Sequence, residues 1–372
     1  MAKISLVLAF GLLIGTPPAS ALTTYAQADF TKVRKFDAHV HANANNGEFL
    51  AIARKDGFEL LSINVDYPDF PTLDDQAAVA LAQQAADPRR FHFATTFSMK
   101  GFGTRAWTAK TNAAIDGALA HGALAVKVWK NIGMVERDPR GRLIFLDDRG
   151  LDGVMAHIQA AHVPLIAHQA EPKNCWLPLD QMTTENDRSY FRDHPEYHMN
   201  LHPEMPSYES LMAHRDRFVA RHPGLSFVGA HMASLEWSVD RLAAFLDAHR
   251  NATVDLAARM TQVQYQSVRN QAKVRAFFIK YQDRILYGSD LTQNPTSASE
   301  RAQNPPSTGQ GFSKEADDFW RSDWTYLATP GTQRIDAIRA KVPGLALPRA
   351  VIDKIYYGNA RRVFFGSRRR SG

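Results

Sequence analysis

The sequence is poor in cysteine, because Cys175 is the only one among 372 residues. No intrachain disulfide can form, so stability must come from the hydrophobic core and from any bound metal. Internal repeats and low-complexity linkers that would divide the chain are also missing. With 45% hydrophobic residues, the chain can bury a large core as one large domain or two ordinary ones.

A strong net charge is missing as well. The chain carries 44 basic and 38 acidic residues, which gives a formal charge of +6. Most of this excess comes from Arg361 and Arg362 and from the C-terminal residues Arg368, Arg369 and Arg370. Lys and Arg do not cluster with aromatic residues elsewhere, so we interpret the tail as a solvated end. We therefore expect no nucleic-acid partner and a small-molecule ligand instead.

One apolar run stands at the N-terminus, from residue 4 to residue 14. It is too short to span a bilayer. Lys3 precedes it, and Pro17, Pro18 and the small residues 19–21 follow, which is the pattern of a secretory signal peptide cleaved after Ala21. An uncleaved anchor or a buried helix is the alternative. We predict that residues 1–21 are a signal peptide, and that the protein is exported, periplasmic or secreted, without stable membrane association.

From residue 33 onward, short β-rich runs alternate with amphipathic or Ala-rich helical stretches. This alternation predicts an α/β fold with a parallel sheet, and eight units predict a (β/α)8 TIM barrel formed by residues 22–372. The strand candidates are 33–41, 58–65, 91–97, 124–130, 164–168, 226–231, 253–256 and 285–289. The helix candidates include 73–86, 106–121, 151–161, 208–221, 239–249 and 268–281.

A doubly wound open sheet is the alternative architecture. Such a sheet commonly has a Gly-rich phosphate-binding turn after its first strand. Here the sequence His39-Val40-His41-Ala42-Asn43 occupies that position, which favours the barrel.

Two predicted βα connections are unusually long. The first covers residues 171–207, after the fifth strand, and is rich in His, Tyr and Trp. The second begins at Leu291, after the eighth strand, and leads to the aromatic residues Phe319, Trp320, Trp324 and Tyr326. Both leave the C-terminal ends of strands, where barrel enzymes build their active sites, so we predict that they act as lids. Surface insertions without a function are the alternative.

Potential metal ligands stand at the ends of four predicted strands. In the first strand, His39 and His41 are two residues apart and so point to the same face. An isolated pair of this kind is more typical of a solvated strand end. His168, His231 and Asp290, however, end the fifth, sixth and eighth strands, and all of these ends meet at the mouth of a barrel. Imidazoles and a carboxylate in such a ring are ligands that suit Zn²⁺ and related ions.

Six stretches of the chain together resemble the amidohydrolase superfamily, in particular its amidohydrolase-2 branch of metal-dependent hydrolases and decarboxylases. They are DAHVH at 37–41, AVKVWKNIG at 125–133, IAHQAEP at 166–172, VGAHMAS at 228–234, ILYGSD at 285–290 and YYGNARRVF at 356–364. The resemblance covers nearly the whole chain after the signal peptide. It implies that His39, His41, His168 and Asp290 bind the metal. It also implies that His231 is either a ligand of a second metal or an acid/base group beside the first.

The resemblance leaves the number of metals open at Lys127. In dinuclear members of the superfamily, a carboxylated lysine on the fourth strand bridges two ions, and Lys127 resembles that residue. The amidohydrolase-2 branch is generally mononuclear, so we expect one ion, most simply Zn²⁺, with Mn²⁺, Fe²⁺ or Co²⁺ as alternatives. In that case Lys127 is a positive group near the pocket.

Two further residues are possible contributors. Glu171 follows His168 in a pattern that resembles the family, and it either orients a ligand or forms a surface ion pair. Arg259 follows the seventh strand and either holds a substrate carboxylate or is solvated.

The family resemblance implies a metal-dependent hydrolase that cleaves an amide, ester or lactone of a small organic substrate. In that mechanism Asp290 accepts a proton from the attacking water, and His231 stabilises the developing oxyanion. A non-oxidative decarboxylase on the same fold is the second hypothesis, and basic groups around the metal would favour it. The third is a catalytically inert, metal-stabilised barrel. The sequence does not identify the substrate or the oligomeric state.

Overall fold

The computed structural model describes residues 23–295 and 311–366. The predicted signal peptide, the three consecutive tail arginines and part of the second long connection lie outside these ranges. Within them, no helix has both the length and the hydropathy needed to cross a bilayer.

Eight parallel strands follow one another around a sheet, each hydrogen-bonded to the next in sequence. They are Lys35–Ala42 (β1), Phe58–Ile63 (β2), Phe91–Thr96 (β3), Val126–Val128 (β4), Leu165–Ala167 (β5), Phe227–Gly229 (β6), Ala252–Asp255 (β7) and Ile285–Leu286 (β8). A ninth strand, Thr292–Gln293 (β9), pairs in parallel with the end of β1.

The segment after β8 closes the sheet on β1. The backbone N–H of Ala38 donates to the carbonyl of Tyr287 at 2.9 Å, and the N–H of Asp290 donates to the carbonyl of His39 at 2.8 Å. Thr292 in β9 then pairs with His41, so β9 continues the line of β8 along β1. The predicted (β/α)8 barrel is therefore confirmed.

The helices alternate with these strands. They are Glu48–Asp56 (α1), Leu73–Ala86 (α2), Arg105–Ala120 (α3), Asn131–Met134 (α4), Asp152–Ala160 (α5), Glu185–Asp193 (α6), Tyr208–Arg221 (α7), Ala230–Ala233 (α8), Val239–Ala248 (α9), Met260–Lys280 (α10), Phe312–Ala328 (α11), Arg349–Asp353 (α12) and Asn359–Phe365 (α13). A π turn over Lys354–Gly358 joins α12 to α13.

Local sequence explains why several predicted helices match. The hydroxyls of Thr72, Thr104, Ser207 and Ser238 each accept a backbone N–H in the first turn of the helix that follows. Among the predicted helices, α10 differs most: it begins eight residues before its predicted start and contains a non-helical residue, Asn270 (φ −156°, ψ 81°).

The aromatic residues after the second long connection are part of the core. Trp320, Trp324 and Tyr326 on α11 are fully buried. The Trp320 ring stacks on Phe58 of β2, with 4.1 Å between ring centroids, and the Trp324 ring lies edge-on to Phe30. These side chains attach α11 to the outside of the barrel, so we no longer assign them to a lid. An antiparallel hairpin of Thr332–Ile335 (β10) and Ala340–Pro343 (β11) follows α11.

The first long connection is folded rather than extended. It contains α6 and four short 3₁₀ turns, at Lys173–Trp176, Leu179–Gln181, Pro195–Tyr197 and Met199–Leu201. It lies beside the C-terminal ends of the strands, where it supplies walls of the cavities described below.

Candidate metal centre

Two imidazoles of the site come from β1, which is buried along its whole length. Nδ1 of His39 lies 2.8 Å from Oδ2 of Asp255, and Nδ1 of His41 lies 2.7 Å from the carbonyl oxygen of Ile63. An acceptor at Nδ1 assigns the ring proton to that nitrogen and leaves a lone pair on Nε2. Both Nε2 atoms are thus held in the form that binds a metal.

Asp290 brings a carboxylate to these two rings. It has a left-handed backbone (φ 70°), which turns the chain at the end of β8. Its Oδ1 lies 3.3 Å from Nε2 of His39 and also 3.3 Å from Nε2 of His41. Burial alone would raise the pKa of Asp290, but the His231, His41 and His39 rings hold it well below the usual value of a carboxyl group. Asp290 is therefore a carboxylate at neutral pH.

His231 approaches from the other side on an unusual turn. The four residues 231–234, which follow the end of β6 after one intervening residue, all have positive φ, from 54° to 57°. In this turn Nδ1 of His231 meets the carbonyl oxygen of Ala257 at 2.9 Å, and its backbone N–H donates to Oδ1 of Asp255 at 2.7 Å. Ligand atoms of His39, His231 and Asp290 all lie within 4.8 Å of one another.

His168 lies beside His231, with 4.1 Å between ring centroids. Its Nε2 is 3.1 Å from the carbonyl oxygen of Ala170. In the other three histidines it is Nδ1, not Nε2, that contacts a carbonyl or carboxylate oxygen. His168 lines the same cavity as His39, His41 and Asp290. The structure thus brings all five predicted histidine and aspartate residues to one end of the barrel.

Burial sets the charge of the imidazoles. It is the main cause that lowers the pKa of His39 and places the pKa values of His168 and His231 well below the usual value. Nearby cations act in the same direction on His39 and His168. These three rings are therefore neutral at pH 7, as metal binding requires.

The donor set fits a divalent metal ion. Bonds of 2.0–2.2 Å in a tetrahedral site place neighbouring ligand atoms about 3.4 Å apart. The two Nε2–Oδ1 distances of 3.3 Å at Asp290 agree with this spacing. They join pairs of acceptor atoms, and such pairs repel each other unless a cation or a proton lies between them.

Lys127 lies at the centre of the site rather than at its edge. Its side chain is 1% exposed, and Nζ is 3.4 Å from Nε2 of His39. Burial lowers the pKa of Lys127 to about 8, opposed by Asp255 and Asp290.

A cavity of about 520 Å³ opens over these residues. Its lining comes from the barrel and from the first long connection, which contributes Glu171, Asp187, Tyr190 and Phe191 among others. Glu171 forms an ion pair with Lys130 in the cavity wall, and this pair is mostly buried. Glu171 is therefore neither a surface residue nor a partner of a candidate ligand.

Arg259 also lines this cavity and is 8% exposed. Its Nη1 donates to the carbonyl of Ala258 at 3.0 Å, and its Nε has no hydrogen-bond partner. Among the described residues, no carboxylate lies within ion-pair distance of the Arg259 guanidinium. Arg259 also acts on buried Glu236, whose pKa burial raises and Arg259 lowers.

Sequence reasoning missed two buried carboxylates that support the site. Asp255, at the end of β7, holds His39 and the backbone of His231, and the strand-end pattern used for the other ligands applied to it as well. Asp37 accepts the backbone N–H groups of His39 at 3.2 Å and Ser289 at 3.0 Å, which joins β1 to the chain after β8. No feature of the sequence around Asp37 indicated that its side chain would contact the chain after β8.

The fold is a closed parallel barrel, and buried histidines and an aspartate lie at the C-terminal ends of its strands. This combination is typical of barrel enzymes that bind a metal ion in the active site. The model of the amidohydrolase family, Amidohydro_2, matches residues 16–366. The chain belongs to this family and is an enzyme of the amidohydrolase type. The family is generally metal-dependent, and the His and Asp cluster agrees with that property.

Several solved structures are similar to the chain. A probable 2-pyrone-4,6-dicarboxylic acid hydrolase of Acinetobacter baumannii is 9% identical, with a TM-score of 0.49, over 89% of this chain and 99% of that chain. A 5-carboxyvanillate decarboxylase of Sphingomonas paucimobilis is 12% identical, with a TM-score of 0.49 and the same coverage. A 4-oxalomesaconate hydratase of Rhodopseudomonas palustris is 12% identical, with a TM-score of 0.45, over 91% and 98%. No curated protein matches the chain.

Proposed function

We propose that the protein is a metal-dependent hydrolase that cleaves an amide, ester or lactone bond of a small organic substrate. One observation carries the proposal: Oδ1 of Asp290 lies 3.3 Å from Nε2 of both His39 and His41. The proposed ligands are His39, His41, His168 and Asp290, with His231 as the acid/base group. Zn²⁺ is the proposed ion, because three imidazoles and a carboxylate suit it.

A bound Zn²⁺ ion supplies a Lewis acid that brings the pKa of water toward ~7 and polarises a carbonyl group. The pKa of Asp290 lies well below the usual value of a carboxyl group, so the side chain is ionised and can accept the proton of the attacking water. The cavity walls of the first long connection hold the substrate over these groups and reduce the access of bulk water.

His231 is suited to receive a proton and pass it on. Its Nδ1 faces the carbonyl oxygen of Ala257, so the ring proton lies there and Nε2 bears the lone pair. In this form Nε2 accepts a proton and does not donate one to a developing oxyanion. We therefore propose that Nε2 of His231 takes the proton that Asp290 has removed from the water and passes it to the leaving group, a different role from the oxyanion contact expected from the sequence.

A non-oxidative decarboxylase is the second candidate, because one observation favours it. Lys127 and Arg259 both line the cavity, and two cations beside the metal ligands can hold a carboxylated substrate. The two candidates share their ligands and differ in the bond that is broken. Assays of the purified protein on amides, esters, lactones and aromatic carboxylic acids, with CO₂ release measured in parallel, distinguish them.

Metal content by elemental analysis is the first test. We expect about one equivalent of zinc in the wild type, loss in His168→Ala, and retention in His231→Ala and Lys127→Ala. His157→Ala is the matched control, because His157 is a partly exposed helical residue that pairs with Asp116. If zinc is lost in His231→Ala and retained in His168→Ala, then His231 is the metal ligand and His168 is the acid/base group.

Two other outcomes of the same measurement would change the proposed number of metal ions or contradict metal dependence. Two equivalents that fall to one in Lys127→Ala indicate a carbamate-bridged dinuclear hydrolase. No metal after reconstitution contradicts the metal-dependent function and favours an inert barrel.

We also propose that the protein is exported after cleavage near Ala21. The support is the N-terminal pattern of a basic residue, an apolar run and small residues. N-terminal sequencing of the protein from the periplasm or medium should begin at Leu22. A protein that retains Met1 or Ala2 in the cytoplasm contradicts this proposal.

A further inference from the structure

A second cavity, here called the outer chamber, adjoins the metal-site cavity. Its volume is about 260 Å³. The two cavities share the lining residues Tyr67, Trp129, Lys130, Glu171 and Tyr190, so the outer chamber lies directly behind the wall that contains the Lys130–Glu171 ion pair. The two cavities are therefore neighbours that share one wall.

The walls of the outer chamber are aromatic and thioether side chains. The Tyr67 and Trp129 rings are 4.8 Å apart at 59°, and the Tyr190 and Tyr197 rings are 6.4 Å apart and nearly parallel. Three methionines complete the lining, and methionine adapts its shape to flat apolar groups. These methionines are Met134, Met199 and Met205.

Part of this apolar surface is open to water. Val135 is 61% exposed, Tyr190 41% and Tyr197 40%, although all three line the outer chamber. They are three of the seven large hydrophobic residues that are exposed in the described part of the chain. Such a concentration at the rim of a cavity is typical of a surface that an apolar ligand covers.

The charges of the two cavities differ. Lys127 and Arg259 line the metal-site cavity, whereas neither lines the outer chamber. At the outer chamber, Lys130 is paired with Glu171, whereas Glu196 and Glu204 form ion-pair contacts, within the described part of the chain, only with histidines: His194 at 3.5 Å and His202 at 3.4 Å. The carboxylates therefore outnumber the lysine, and an anionic group is disfavoured there.

We propose that the outer chamber binds an apolar aromatic group of the substrate that carries no negative charge and lies at the end remote from the bond that is broken. This inference rests on the proposed function for its substrate. Tyr197 and Met205 then determine specificity by shaping the chamber, without contact to the reacting atoms.

The test is a binding titration that does not depend on catalysis. Benzyl alcohol and phenylmethanesulfonate share a ring and differ in charge, and saturation-transfer NMR measures weak binding of both to the full purified chain. We expect benzyl alcohol to bind the wild type at least about tenfold more tightly than the sulfonate does. The affinity for benzyl alcohol should be equal with and without zinc.

Three variants locate the binding. Tyr197→Ala removes a wall and Met205→Trp fills the chamber, and each should weaken benzyl alcohol binding by about tenfold. Leu201→Ala is the matched control, because Leu201 is 55% exposed in the same connection and does not line the chamber. Tyr197 is exposed enough that its replacement should not prevent folding, and Met205→Trp gives an independent second measurement.

Two results would overturn the proposal: equal binding of the sulfonate, or benzyl alcohol affinity that is unchanged in both chamber variants. A protein that lacks metal but binds benzyl alcohol in a Tyr197-dependent way contradicts the proposed function and leaves the chamber as a ligand site. A protein that holds metal but shows no Tyr197-dependent binding contradicts the chamber alone.

Discussion

Oδ2 of Asp255 lies 2.8 Å from Nδ1 of His39, and the two side chains are 1% and 0% exposed. The other oxygen, Oδ1, accepts the backbone N–H groups of His231 at 2.7 Å and Ala257 at 3.2 Å. A single carboxylate at the end of β7 therefore fixes a ring on β1 and the turn after β6. Although burial alone would raise the pKa of Asp255, His39, His231 and Lys127 hold it below its usual value.

Replacing Asp255 with Asn should weaken metal binding by about 10- to 100-fold. An amide in this position can donate to Nδ1 of His39, which would move the ring proton to Nε2 and remove the lone pair from the site. Competition with a chromophoric chelator measures the affinity. Thr253→Val is the control, because it is a nearly isosteric change on the same strand. An unchanged zinc affinity in Asp255→Asn means that His39 needs no such partner.

Replacing Gly229 with Ala should disturb the turn that carries His231. An added Cβ would lie 2.5 Å from Cβ and 3.0 Å from Cα of Ala233, so the turn must shift. We expect the free energy of unfolding to fall by about 1–3 kcal/mol, measured by urea denaturation, and activity to fall with it.

Two companion variants test this explanation. Gly117→Ala adds a methyl group on α3 with no atom within 4 Å, so it should leave stability unchanged or raise it by up to about 1 kcal/mol. Ala233→Gly in the Gly229→Ala background removes the closest contact and should recover part of the loss. Equal stability of Gly229→Ala and the wild type would show that the turn accommodates the methyl group.

Asp323 makes stability depend on pH. Burial, with a smaller contribution from Asp37, raises the pKa of Asp323 to about 8, although Tyr287 donates to its Oδ2 at 3.0 Å. The folded protein thus holds a proton between about pH 4 and 8 that the unfolded chain has lost. The stabilisation is complete below about pH 4 and is lost as the pH rises through 8.

Asp323→Asn cannot titrate, so its stability relative to the wild type should rise by about 2–4 kcal/mol between pH 5 and pH 8. Urea denaturation at both pH values measures this change, and contributions from groups that do not interact with Asp323 cancel in the difference; Asp37 does interact with it. The control is Asp318→Asn on the same helix, where the side chain is 59% exposed. Parallel pH profiles of Asp323→Asn and the wild type contradict a buried, protonated Asp323.

The Lys130–Glu171 ion pair should be strongly coupled, because the two side chains are only 20% and 12% exposed. Lys130→Met leaves the Glu171 carboxylate without its partner. Because both side chains are partly exposed, we expect the free energy of unfolding to fall by about 1–3 kcal/mol, less than for a fully buried pair. The double variant Lys130→Met/Glu171→Gln should recover most of this loss, since no charge is then left unpaired. Additive effects in this double-mutant cycle would mean that the pair contributes no more than a surface pair does.

Helix bounds show how much of the fold was predictable. Helices α2 and α7 match their predicted ranges at both ends. A capping Thr or Ser is a local signal, and so are the Ala-rich run of α2 and the amphipathic repeat of α7. Helix α1 and the early start of α10 were missed, since their turns are stabilised by packing against the barrel. The aromatic residues of α11 were predicted to belong to a lid. This prediction was wrong, because Trp320 and Trp324 are buried in the core.

The sequence by itself determined the barrel and the strand-end positions of the candidate metal ligands, because strand and helix periodicity and the residue that ends each strand are local properties. Tertiary structure alone decided that Asp255 supports His39 across 216 residues, that Nζ of Lys127 lies 3.4 Å from Nε2 of His39, and that Glu171 pairs with Lys130. Those contacts depend on how the strands and the first long connection pack around a shared space. Buried hydrogen bonds and charges between distant residues leave no periodic trace in the chain.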